Sequence, residues 1–508
     1  MEKRRGGAEE VMSPVPDPPQ AEEPQPTRHA STASLSLERL PDEALLLVLQ
    51  YLDVISLLTC RLVCKRLGAL ALDWDAWRHR EVDVRLSSAD CVCPELRLAP
   101  CLRRLVVSIP MLDGFAACPS APYAWTRCAA TELCLEVSDG SDNALAAAAL
   151  INRQQALGRL KSLRVELYSS KPAVISVLTE TCASTHGLVK LEVEVWGGRL
   201  PTPFQTECTI SAPSLRHFKC VLSPATEHFV NFILVGHALT LETVDLLGGR
   251  EPGLDSMACV STGPLLAKLP KLSKLTCCNI PGVEAVSGGE TLTEVNLIVS
   301  TESRHRGAVA GAATLLRAGQ IRWLSVRCVP PSADVDVDVV RALALSGRSC
   351  LESLEIYNNN GEAECSRNFS HLQELMTALP SLCALRHLYV GLESIEKLDK
   401  LVLAITPATA PSLQDIHLDL DEGLCAHAWL HRDAFNTLMS RNALLHVRLY
   451  AYMLLCCDES CQACTLGCHD QLMDGAYVDI FWHDINETCP LDHGIDHLQW
   501  SLSQVTIF

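Results

Sequence analysis

The strongest candidate for chemistry in this chain is a group near its C-terminus: Cys456, Cys457, Cys461, Cys464, Cys468 and His469. Cys461 and Cys464 form a C-x-x-C pair, and a tetrahedral zinc ion takes thiolate and imidazole ligands. His483, Cys489, His493 and His497 lie further on and offer the same donor types. The spacing carries a second reading. Cys457, Cys461, Cys464 and Cys468 are separated by steps of 4, 3 and 4, the apolar stripe of an amphipathic helix. On a continuous helix the outer two would stand about 16 Å apart, too far for one ion whose bonds are near 2.3 Å. Zinc therefore requires the helix to break, for which Gly467 is the candidate, and no second C-x-x-C supports it. Buried or free thiols, with no resident metal, are the expectation.

Other patterns fall short of chemistry. Asp334, Asp336 and Asp338 imitate the start of a calcium loop, but Val339 and Leu345 stand where that loop needs Gly and Glu. A solvated helix start is expected instead. The chain has no Walker loop, no G-x-G-x-x-G after a strand, no G-x-S-x-G elbow and no H-E-x-x-H. Neither catalysis nor a cofactor is expected. The formal charge of −18 argues against nucleic acid as a partner, because phosphate binding needs a positive surface. No run approaches the roughly 18 apolar residues of a membrane span, so no membrane is expected. The 25 cysteines are scattered through apolar segments, and no apolar stretch follows the basic start at Lys3, Arg4 and Arg5. Such cysteines read as reduced, buried thiols in cytosol and/or nucleus.

Two patterns organise the 508 residues. The first is LERLPDEALLLVLQYLDVISLLTCRLVCKRLGALALDWDAWRHREV, from Leu37 to Val82. Leu45, Val48, Leu49 and Leu52 fall at helical spacing, and Pro41, Asp42 and Glu43 suit a helix start. Three short helices bury only a thin core, so apolar side chains should stay exposed, as on a binding face. In the order of Leu40, Pro41, Asp42, Glu43, Leu49, Leu52, Leu57, Val63, Cys64, Lys65 and Trp77 this segment resembles an F-box. Leu67 stands where an aromatic is common and Ser56 where an acidic residue is usual. The resemblance implies docking onto the Skp adaptor of an SCF ubiquitin ligase with its cullin scaffold. It makes Leu40, Pro41, Leu49, Leu52, Leu57, Val63 and Trp77 the adaptor contacts, the first six expected to be exposed.

The second pattern is a repeat. The unit L-x-x-L-x-L begins at Leu102, Ala130, Leu160, Leu188, Leu215, Leu241, Leu272, Leu292, Ile321, Leu351, Leu385, Leu413 and Leu444. Its mean period of roughly 28 residues is that of leucine-rich repeats. One short step precedes Leu292. In each unit the last two apolar residues should point into a core that one repeat cannot complete and stacked repeats share. Helix-like runs lie between units, among them 173–184, 308–316, 335–345, 372–379, 395–405 and 435–441. The expected α/β fold is a three-helix F-box followed by a leucine-rich-repeat solenoid, with a curved parallel sheet inside and helices outside. The domains are a Pro-rich tail at 1–34, the F-box at 35–85, the solenoid at 95–455 and a Cys-rich cap at 456–508.

Outward strand positions decide what such a solenoid grips. Early repeats present charges such as Lys161, Arg164, Glu166, Lys190, Glu192 and Glu194. Later ones add Trp323, Tyr357, Arg386, His387, Tyr389, His417 and Tyr450, of types common at binding hot spots. These seven are the expected contacts for a protein substrate. The function expected is a non-catalytic substrate receptor of an SCF-type ligase. The alternatives are a scaffold outside a ligase, or a zinc-binding protein using the C-terminal cysteines.

Overall fold

The computed structural model describes residues 39–83, 93–109, 124–196, 212–247, 259–300, 306–329 (except 319), 340–343, 350–357, 372–392, 395–420, 432–451 (except 443) and 477–481, with isolated positions 204, 210 and 429. The tail at 1–34, Asp334, Asp336 and Asp338, and the cysteine and histidine group from Cys456 to Cys489 with His493 and His497 lie outside the described residues. The chain divides into two compact units after Ala71.

The first unit holds α1 (Asp42–Gln50), α2 (Val54–Cys60) and α3 (Lys65–Leu70). Helix α1 starts at Pro41, with Asp42 and Glu43 complementing its dipole. Asp53 caps α2, its carboxylate accepting from the Ser56 amide at 2.7 Å and the Ser56 hydroxyl at 2.8 Å. Those two bonds, the amide first, hold the Asp53 carboxyl below its usual pKa. The Arg66 guanidinium ties α3 back to the start of α1, donating to Asp42 Oδ1 at 2.6 Å and to the Leu40 carbonyl at 2.6 Å.

The second unit begins with the short helix α4 (Trp74–Trp77) and is built on one sheet. Its described strands are β1 (Glu81–Asp83), β2 (Cys101–Ile109), β3 (Ala129–Ser138), β4 (Ser162–Tyr168), β5 (Lys190–Trp196), β6 (His217–Cys220), β7 (Thr243–Asp245) and β8 (Lys274–Cys278). They continue as β9 (Glu294–Ser300), β10 (Trp323–Val329), β11 (Ser353–Tyr357), β12 (His387–Leu392), β13 (Asp415–Leu420), β14 (His446–Ala451) and β15 (Tyr477–Phe481). The strands lie side by side in chain order, parallel from β1 to β14, and the sheet does not close on itself. β15, from the Cys-rich segment, pairs antiparallel with β14.

The repeat dictates this order. Leu105, Leu133, Leu163, Leu191, Phe218 and Val244 face one another across successive strands, and Leu275, Val295, Leu324, Leu354, Leu388, Ile416 and Val447 continue the row. Each is buried. A slip of one residue would expose its whole row, so the buried row pins the register. Leu444 departs from the expectation. It is 54% exposed while its neighbour Leu445 is buried, the Leu445 amide donating to the Asn442 carbonyl at 3.0 Å, and Val447 keeps its expected place in the row.

Helices fill the intervals, among them Pro172–Ser184, Arg306–Leu316, Leu372–Ala378, Ile395–Ala404 and Asp433–Arg441, close to the expected runs. Of 335–345 only 340–343 is described, and it is helical. The Ala-rich Ser141–Ala156 and apolar Glu227–Gly236 helices fill two further intervals. Before β9 the connection is a 3-10 segment, Val283–Gly288. A 3-10 turn rises about 2 Å per residue against 1.5 Å in an α-helix, so fewer residues span the same layer. That accounts for the short step before Leu292.

Candidate protein-interaction surfaces

In the first unit the apolar stripe is divided between core and solvent. Leu45, Leu49 and Leu57 are buried, with Leu57 wholly inaccessible. Leu47, Val48, Tyr51, Ile55, Leu62 and Val63 are exposed, Tyr51 by 91% and Leu62 by 80%. The expectation of exposed anchors is corrected at Leu49 and Leu57. Leu49 and Leu57 are buried with Leu45 because a short helix can turn only one narrow face inward, which leaves the residues flanking them uncovered. Trp77 is also buried, and it belongs to the second unit, where α4 packs on β2. Arg80 lies 5.9 Å over its ring. Among the other expected anchors Pro41 and Val63 are exposed, while Leu40 and Leu52 are half-buried.

On the sheet, outward side chains form rows that cross the strands. The early charges neutralise one another. Arg164 reaches Glu166 at 2.8 Å and Glu194 at 3.6 Å, Lys219 reaches Glu194 at 2.9 Å, and Lys190 reaches Glu192 at 2.7 Å. Beside them the Tyr168 and Trp196 rings stack at 5.9 Å. Burial, and then its bond to Glu166, pushes the Tyr168 hydroxyl up to about 12.

The later strands bring three of the expected substrate contacts together. His387 Nδ1 stands 2.9 Å from Asp415 Oδ2, and His446 Nδ1 lies 4.0 Å from the other oxygen of that carboxylate. The Tyr389 and His417 rings are 6.0 Å apart on neighbouring strands. Arg386 is exposed just before β12. Trp323, 45% exposed, sits two strands away in the row Trp323, Ser353, His387. Tyr357 pairs with Arg327, and Tyr450 with Asp419, in backbone register; their side chains lie outside the described residues.

Sequence reasoning missed a cavity on the same face, of about 290 Å³, between β8 and β11. Lys274, Glu294 and Trp323 line it from one row, and Thr276, Asn296, Ser325 and Glu355 from the next, with Arg327 beyond. Lys274 pairs with Glu294 at 2.8 Å and lies 5.6 Å over the Trp323 ring. The only signal in the sequence was that these residues occupy outward strand positions.

Among the described residues no three His, Cys, Asp or Glu side chains are grouped to hold a metal. The described cysteines are free, most of them buried, as at Cys182, where burial raises the thiol to about 12. No described helix is long and apolar enough to cross a membrane. No curated protein matches the chain. One family does, over a short span: residues 37–82 match the F-box-like family, so the N-terminal helical segment is an F-box-like domain followed by a long, sequentially wound parallel sheet.

Proposed function

We propose that this protein is the substrate-recognition subunit of an SCF-type ubiquitin ligase, of the leucine-rich-repeat class of F-box proteins. The F-box-like match at residues 37–82 carries the reading. F-box domains dock on the Skp adaptor, which links them to a cullin. The exposed apolar set Leu47, Val48, Tyr51, Ile55, Leu62 and Val63, together with Pro41, supports such a contact, since uncovered apolar side chains gain free energy when a partner covers them. Leu40 and Leu52 stand at its margin.

The sheet face is the proposed surface for a protein substrate, through Trp323, Arg386, His387, Tyr389 and His417 with Tyr357 and Tyr450. Aromatic and Arg side chains on a rigid sheet are favoured hot spots. Ubiquitin transfer falls to the partner enzymes. The setting is the cytosol or nucleus.

The test is affinity purification of the full chain from cells with the proteasome inhibited. Wild type should bring down the adaptor and a cullin, and Ile55→Asp/Leu62→Asp should lose both. Adaptor without cullin would leave a scaffold outside a ligase, and neither protein would remove the reading.

A further inference from the structure

The row Thr276, Asn296 and Ser325 runs along the β8–β11 cavity, one residue from each of three neighbouring strands. Among the described residues none of these three side chains has a hydrogen-bond partner. Thr276 is only 8% exposed, its backbone carbonyl accepts from the Leu246 amide at 2.7 Å, and its hydroxyl opens on the cavity, where water reaches it. An occupant that displaces this water must replace its hydrogen bonds, or leave the row buried and unpaired.

The surrounding charge says what the occupant is. Two cations, Lys274 and Arg327, and two carboxylates, Glu294 and Glu355, line the cavity and cancel. An anion would face Glu294 and Glu355, and a cation would face Lys274 and Arg327. The row itself mixes donors and acceptors: hydroxyl, carboxamide, hydroxyl. A carboxylate only accepts and an ammonium only donates, whereas a carboxamide offers two donors and an acceptor oxygen. The exposed indole of Trp323 supplies a flat apolar wall for methylene groups. A volume near 290 Å³ is at the lower end of ligand pockets and suits one side chain with its adjoining backbone.

We propose that this cavity receives one uncharged carboxamide side chain, glutamine or asparagine, from an extended segment of a protein substrate. The inference rests on the substrate-receptor reading and names the residue class that the receptor selects.

The test uses immobilised peptide pools, randomised except for a fixed central Gln, Asn, Glu, phosphoserine, Lys, Leu or Ala, probed with the full chain. Gln or Asn pools should retain the wild-type chain at least about fivefold better than the Ala pool, since a site built for hydrogen bonds rejects groups lacking them. Thr276→Val and Ser325→Ala should each remove that preference. Thr276→Val should melt no lower than wild type, because the hydroxyl bonds to no described group of the free protein. Preference for the Glu, phosphoserine or Lys pools would overturn the inference, as would equal retention on Ala, or a preference that survives both substitutions. A lower melting temperature in Thr276→Val with selection intact would make the hydroxyl structural and also overturn it. Adaptor capture fails independently: a Gln preference without adaptor binding sinks the receptor reading and leaves the pocket standing, and adaptor binding without selection does the reverse.

Discussion

His237 shows how one buried side chain makes the fold pH-sensitive. Its Nδ1 accepts from the Ser214 amide at 3.3 Å, with the Leu215 amide at 3.5 Å, which requires the neutral ring. Burial first, then the neighbouring His186, lowers its pKa from 6.5 to about 4. The unfolded chain therefore binds the proton more readily. The contribution of neutral His237 is complete above pH 6.5 and is lost as pH falls toward 4. Melting temperature measured from pH 7 to pH 4.5 should fall more in wild type than in His237→Gln. Equal slopes would show that His237 does not govern this window. Gln154 tests the cost of unpaired backbone. It is fully buried, accepts from the Ala130 amide at 2.8 Å and donates to the Cys128 carbonyl at 2.7 Å. Gln154→Leu leaves both backbone groups buried without partners, at about 1–3 kcal/mol each, and chemical denaturation should register the loss. Neither role was legible in the sequence, since both depend on neighbours a whole repeat away.

At the scale of the element, two glycines constrain the short repeat before β9. Gly282 has φ 84°, a left-handed conformation that side chains resist, and it opens the 3-10 segment. A Cβ on Gly263, in the Thr262–Leu266 helix alongside, would collide with the Pro281 carbonyl oxygen and lie 2.8 Å from the Gly282 carbonyl carbon. Gly263→Ala should therefore destabilise by about 1–3 kcal/mol, measured as a lower denaturation midpoint; an unchanged midpoint would mean the backbone yields freely there. The period foretold strands well and short helices less well. Val48 belongs to the stripe that marks α1, yet it is 47% exposed, while Leu45 and Leu49 are buried. A helix of two or three turns has too few residues for its pattern to say which side the rest of the fold will cover.

At the scale of the whole molecule, the two proposed functions sit on separate compact units, so they should be separable by mutation. Arg386→Glu/Tyr389→Ala should abolish substrate capture and spare adaptor binding, whereas Ile55→Asp/Leu62→Asp should do the opposite, each read by co-purification. Loss of both partners in either variant would contradict that division. The amino-acid sequence alone determined that residues 37–82 are F-box-like and that a long repeat follows, with the buried row from Leu105 to Val447 spaced to pair strand after strand. Those features are local and periodic: a two-residue alternation and a conserved interval between apolar positions survive in one dimension. Only the tertiary structure decided that Leu49, Leu57 and Trp77 are covered, and that Thr276, Asn296 and Ser325 share a cavity. The reason is that a side chain's exposure and its neighbours across strands depend on residues one or more repeats away, whose distance along the chain carries no chemical mark of their contact.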